Sequence, residues 1–181
     1  KAIELNPNLS EAYNNRGNTK RRLQKIEEAI EDYNKAIELN PNLSEAYNNR
    51  GNAKMQLQKI EEAIEDYNKA IELNQYYAEA YNNRGIAKDK LKLFEEAIED
   101  YNKTIKLNPN NIKGYFYKGL SEFLLGKNEE ALKDFENAYN LADNELKKEL
   151  INRIIVLAQN NDEVAIKFCE EHNIDYKNYK E

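Results

Sequence analysis

Apolar residues fall into two short runs at helical spacing within the stretch Ser10 to Leu43. Ala12, Tyr13 and Leu23 mark the first run, and Ile26, Ile30, Ile37 and Leu39 the second; Asn, Glu, Lys and Arg fill the positions between. Recurrence at three- and four-residue steps predicts two amphipathic helices. The first, about 14 residues long, begins near Ser10, and the second runs from near Ile26 to the Leu-Asn end. The Gln-Lys between them reads as a tight turn. Asn40-Pro41-Asn42 stops the second helix, because Pro lacks an N–H and biases the residue before it away from the α region. Asn42 or Ser44 is placed to cap the helix that follows.

The same pattern returns from Ser44 to Tyr77 and from Ala78 to Asn111, at a period of 34 residues, and the first two copies differ at only six positions. A looser copy runs from Ile112 to Glu145, and Leu146 to Glu181 keeps the register faintly, with Ala165 and Cys169 at recurrent apolar positions. One such unit cannot bury both apolar faces alone, whereas stacked copies can. The expectation is therefore an all-α solenoid of antiparallel helix pairs. Its repeats are 10–43, 44–77, 78–111 and a divergent 112–145, and a degenerate fifth unit at 146–181 closes the core. Lys1 to Leu9 repeats Lys35 to Leu43 without change, so 1–9 reads as the end of a preceding repeat's second helix. That predicts a fragment of a longer protein with at least one more repeat upstream.

Each unit resembles the tetratricopeptide repeat, which implies that the helix pairs wind into a right-handed superhelical solenoid. That pattern sets an aromatic at unit position 4, Leu-Gly at 7 and 8, and an aromatic at 11. It continues with Ala at 20, an aromatic at 24, Ala at 27 and Pro at 32. Here position 4 is Tyr13, Tyr47, Tyr81 and Tyr115, and position 8 is Gly17, Gly51, Gly85 and Gly119. Position 20 is Ala29, Ala63, Ala97 and Ala131; position 24 is Tyr33, Tyr67, Tyr101 and Phe135. Pro41 and Pro109 fill position 32, where Gln75 and Asp143 do not. Two departures recur: Arg16, Arg50, Arg84 and Lys118 stand at position 7, and Lys20, Lys54, Lys88 and Glu122 at position 11. The Arg stems can lie along the helix pair while each guanidinium pairs with Asp32, Asp66 or Asp100.

Charge is placed by layer. Each second helix of the first three units opens with acidic residues, as at Glu27, Glu28, Glu31 and Asp32, while Arg16, Lys20, Arg21 and Arg22 make the first-helix layer basic. Acid in an opening turn complements the helix dipole, which is a sufficient reason for it; a site for a cation or a basic partner is the competing reading. A net charge of −6 disfavours a general nucleic-acid binder. No run of 18 apolar residues exists, so no membrane span is expected. The single cysteine, Cys169, excludes an internal disulfide framework and a cysteine-based zinc site; it suits a reducing compartment such as the cytoplasm, and a chain that starts inside a repeat is expected to have its native targeting segment elsewhere. His172 is the only histidine, without a paired nucleophile or ligand cluster, and there is no glycine-rich phosphate loop. No catalytic residue, metal or cofactor is expected.

The resemblance implies a scaffold that binds an extended peptide along the first helices. The positions usually facing that groove hold Asn14, Asn48 and Asn82 at position 5, Asn15, Asn49 and Asn83 at position 6, and Asn18 and Asn52 at position 9. Carboxamides both donate and accept, so such a ladder suits a peptide backbone; the alternative is that exposed positions are simply filled with Asn. Lys113, Phe116, Tyr117 and Leu120 extend the candidate surface as an apolar pocket, unless the fifth unit or the tail covers it. A carboxylate clamp of the chaperone-binding kind is matched at Asn52, Asn83 and Lys113, but Asn48 and Tyr117 stand where two of its cations belong. Two other classes remain open: self-association through the exposed faces of terminal repeats, and a regulatory arm of a larger protein.

Overall fold

The computed structural model describes residues 9–159 and 162–177 and is helical throughout, with no strand among the described residues. The expected turn at Asn160-Asn161, the last tail residues from Asn178, and all but Leu9 of the preceding repeat's helix end lie outside them. Ten helices follow one another. The first five are α1 (Ser10–Arg22), α2 (Ile26–Leu39), α3 (Ser44–Gln56), α4 (Ile60–Leu73) and α5 (Ala78–Lys90). They form one compact unit, which ends at Leu93. The second unit, from Phe94, holds α6 (Phe94–Leu107), α7 (Ile112–Leu124), α8 (Asn128–Leu141), α9 (Asn144–Gln159) and α10 (Glu163–Glu171). Helix starts at Ser10, Ser44, Ala78 and Ile112 keep the 34-residue period.

Each first helix ends in a Schellman turn. The N–H of Lys25 reaches the Lys20 carbonyl at 3.0 Å and that of Gln24 the Arg21 carbonyl at 3.1 Å; Lys59 and Lys127 repeat the longer bond to Lys54 and Glu122. The residue between must be left-handed: Gln24, Gln58 and Lys92 have φ near 60° (60°, 59° and 61°), and the fourth repeat supplies Gly126 at 74°. The second helices end differently from expectation. Neither Asn42 nor Ser44 caps α3; its N-cap position is Leu43, which has no side-chain acceptor. Asn40 acts instead, its Oδ1 accepting the Asn42 N–H at 3.1 Å and so closing the Asn-Pro-Asn turn from its first residue. Side-chain caps occur at Asn111 for α7 and Asp162 for α10.

In the first unit the core of each repeat is built from small residues around one ring. Ala29, Ala36, Ala53, Ala63 and Ala70 are fully buried together with Tyr33 and Tyr67. Position 8 must be glycine for a steric reason. A Cβ at Gly51 would lie 2.6 Å from the Tyr67 ring, and one at Gly17 would lie 2.7 Å from Tyr33. The second unit has a larger apolar core, in which Phe116, Phe135, Leu150, Ile154, Ile155 and Phe168 pack as one cluster with Cys169. There α9 and α10 close over α7 and α8.

The Tyr67 ring has no exposed side to swing towards, so Gly51→Ala should destabilise the first unit by ~1–3 kcal/mol despite the better helix propensity of Ala. Urea unfolding of the two proteins, followed by circular dichroism, checks this.

Candidate functional site

The departures from the repeat pattern at positions 7 and 11 turn out to be one device. Asp32, at position 23, is buried on α2. Arg16 reaches it from α1 as a fork, with Nε and Nη2 donating to its two oxygens at 2.8 and 2.5 Å, and Lys20 Nζ closes to 3.1 Å. The second repeat copies this: Arg50 donates to Asp66 at 3.0 and 2.6 Å, and Lys54 Nζ lies at 2.9 Å. The guanidinium has further contacts. Arg50 Cζ sits 5.5 Å from the centre of the Tyr47 ring, and Nη1 donates to Asn34 of the preceding pair at 2.7 Å. Arg84 makes the same link to Asn68 at 2.7 Å. Burial alone would raise the Asp32 carboxyl, but the hydrogen bonds and charges of Arg16 and Lys20 outweigh it and hold the group below the usual carboxylate range. The position-4 tyrosines under these cations are half-buried, whereas those at position 24 are true core.

The asparagines divide into two kinds. Position 5 faces inward: Asn14 and Asn82 are buried and Asn48 is fully so. Position 6 of one repeat donates to position 5 of the repeat before, Asn49 Nδ2 to Asn14 Oδ1 and Asn83 Nδ2 to Asn48 Oδ1, both at 3.0 Å. Asn48 Nδ2 in turn donates to the Tyr77 hydroxyl at 3.3 Å. The open ladder expected at position 5 is thus corrected to a staple between repeats, because adjacent residues on a helix point about 100° apart and only one of each Asn pair can look outward. The Asn82 Oδ1 end of the series is buried without a hydrogen-bond partner. At position 9, Asn18 and Asn52 accept the Tyr33 and Tyr67 hydroxyls, both at 2.8 Å. Asn15 is exposed, and Asn18, Asn49, Asn52 and Asn83 keep partial exposure.

Among these, Asn52 and Asn83 line a hollow between α3 and α5 together with Met55, Ile86 and Tyr67. Ile86 stands at groove position 9 of the third repeat, where the first two carry Asn, whereas sequence reasoning did not name Met55 at position 12. The signal was present: Met55 and Ile86 replace Arg21 and Asn18 of the first repeat in otherwise near-identical units. A second hollow lies between α1 and α3, lined by Glu11, Asn14, Asn15, Leu43 and Glu45.

In the second unit the expected apolar pocket is narrowed to a small hollow, which Lys113, Phe116 and Tyr117 line together with Leu146, Leu150 and Arg153 of α9. Phe116 is buried in the core, 5.8 Å from the Phe135 ring centre, and the Arg153 guanidinium of α9 lies 5.5 Å from its own ring centre. Tyr117 is half-buried, its ring 5.7 Å from that of Phe116 and stacked on Tyr101 at 6.2 Å, and Leu120 packs against the same cluster. Lys113 is exposed. The helices of the degenerate fifth unit thus cover most of this surface. Burial pushes the Cys169 thiol up to about 11, and His172 lies flat on Phe168 with ring centres 4.2 Å apart.

Asn48→Ala removes two hydrogen bonds from a closed site and should cost ~2 kcal/mol, whereas Asn15→Ala should stay within about 0.5 kcal/mol of the parent. Arg50→Ala strands the buried Asp66 and should cost ~3 kcal/mol; adding Asp66→Ala should return part of that loss. Urea unfolding of the single and double variants measures both.

Comparison with known proteins follows the same outline. The tetratricopeptide-repeat profile matches residues 10–43 and 78–111, and two related repeat profiles match 51–92 and 32–65. No curated protein matches. Among solved structures, MamA is 32% identical with a TM-score of 0.71, over 82% of this chain and 85% of that one. The first TPR of Spaghetti (RPAP3), bound to the HSP90 peptide SRMEEVD, is 31% identical with a TM-score of 0.64, over 65% and 94%. YrrB, described as a TPR protein with an unusual peptide-binding site, shares the fold at 23% identity and a TM-score of 0.74, over 98% and 92%. Repeat period, buried ring-on-glycine contacts and these matches agree, and the chain belongs to the tetratricopeptide-repeat family.

Proposed function

We propose that the chain is a non-enzymatic protein-interaction scaffold that takes an extended peptide across the first helices α1, α3 and α5. The hollow between α3 and α5 carries this reading. Met55 and Ile86 offer a partly exposed apolar floor, and the carboxamides of Asn52 and Asn83 stand beside it where a peptide backbone needs donors and acceptors. An aliphatic side chain seated there, with its backbone along the amides, is the occupant that matches the lining. The likeness to a TPR domain bound to a peptide supports the class of partner. A peptide ending in a carboxylate is a poorer match, since a fully buried Asn48 and a half-buried Tyr117 stand at two positions where such peptides need cations. Lys113, with the remaining exposed face of α7, is proposed as an outer contact rather than an anchor.

Catalysis has no physical footing at the two residues that could support it. The Cys169 thiol is buried and held protonated, and His172 is packed on Phe168 with Nδ1 3.0 Å from the Phe168 carbonyl oxygen. None of the described helices is long and apolar enough to cross a membrane.

Selection from a random-peptide library tests the proposal. Met55→Arg and Ile86→Asn introduce residues that the first repeat already carries at the same positions, so the fold should survive, which circular dichroism would check. Selected peptides should share an aliphatic residue, bind with Kd in the micromolar range, and lose about tenfold or more in affinity on the double variant. Selection of no peptide by the parent would remove the reading.

A further inference from the structure

The first two repeats give each buried position-23 carboxylate two cations. The fourth repeat reverses that arithmetic. Position 7 is Lys118, position 11 is Glu122 and position 23 is Asp134, so two carboxyl groups share one ammonium. Glu122 is 4% exposed and Asp134 5%. Lys118 Nζ lies 2.8 Å from Asp134 Oδ2 and 3.2 Å from Glu122 Oε1. Glu122 Oε2 is buried without a hydrogen-bond partner, and Asp134 Oδ2 makes no hydrogen bond despite the nearby ammonium. Asn137 offers Asp134 Oδ1 only a long contact of 3.5 Å. Lys118 and Asp134 are the charged groups that act on Glu122. Two adjacent carboxylates deprived of water cannot both stay ionised cheaply, and the missing partner that fits so closed a space is a proton.

We propose that Glu122 and Asp134 share a proton across the α7–α8 interface, and that its release loosens this helix pair, making the fourth repeat a pH-responsive element. Burial is the largest influence on Glu122, the neighbouring Asp134 adds to it, and Lys118 offsets it only in part, so the carboxyl is raised from 4.5 to about 7. The sign follows. Between those two values the folded chain holds a proton that the unfolded chain has released, so stability contributed by the pair is complete below about pH 4.5 and is lost as pH rises through about 7. Asp32 works the other way: its lowered carboxyl contributes stability that is present above its ordinary 3.8 and is lost as pH falls through its depressed value. The first unit is therefore weakened by acid and the α7–α8 pair by mild alkali.

Two measurements on the whole chain test this. Carbon-13 NMR of the Glu122 side-chain carboxyl should show its midpoint near 7 in the folded protein. Amide exchange, corrected for the intrinsic rate, should show the opening constant of α7–α8 rising by up to about tenfold per pH unit between roughly pH 5 and pH 7, while α1–α4 stay level. Glu122→Gln keeps a donor for Asp134 and removes the titration; Glu122→Lys restores the two-cation arrangement of the first two repeats. Both should flatten the α7–α8 profile. A Glu122 midpoint below about pH 5, or the same α7–α8 profile in Glu122→Gln as in the parent, would overturn the proposal; if neither variant folds, the midpoint in the parent decides.

Discussion

A buried carboxylate that must be neutralised sets the terms for much of this chain. Asp32 and Asp66 sit inside the helix pair, where an unpaired charge would cost several kcal/mol. Arg at position 7 and Lys at position 11 answer that demand together, and each gives up an apolar residue that the family pattern would place there. The exchange makes physical sense only as a set. An Arg fork without the Asp would bury donors for nothing, and the Asp without the fork would be left with a single ammonium and fewer hydrogen bonds than a buried carboxylate needs. Because the same guanidinium also covers the position-4 ring and reaches an Asn of the preceding pair, one ionic contact within a repeat is tied to the contact between repeats.

The helices, their turns and the position-8 glycines were legible because they depend on local spacing repeated several times over. The pairing of Arg16 with Asp32 and of Arg50 with Asp66 was legible too, since a buried Arg stem leaves few partners of opposite charge. The roles of the asparagines were not. Asn48 and Asn49 are neighbours of identical chemistry, and what separates them is which side of α3 meets the adjoining helices. That depends on stacking geometry and leaves no trace in a run of two Asn. Phe116 illustrates a second limit. Whether it forms a pocket or a core depends on α9, whose sequence has drifted so far from the repeat that its fit could not be read from spacing.

Near-identity of the first two repeats gives their few differences weight. Three of the six lie at the end of the first helix, where Thr19, Arg21 and Arg22 become Ala53, Met55 and Gln56. The others fall in the closing loop, where Pro41, Asn42 and Leu43 become Gln75, Tyr76 and Tyr77. Tyr77 is then available as the acceptor for the buried Asn48 amide. The variation is thus confined to the ends of the first helices and the closing loops, although Ala53 and Tyr77 reach the interior from there.

The staple from position 6 to the preceding position 5 has a direction. The second repeat gives a hydrogen bond backwards from Asn49 and receives one from ahead at Asn48, and both halves are written inside a single 34-residue module. A module duplicated or deleted in frame would meet neighbours that already complement it, with no second change needed to repair the junction. Length in this part of the chain is thus open to change in whole steps by recombination, and the array can grow or shrink without passing through a broken interface.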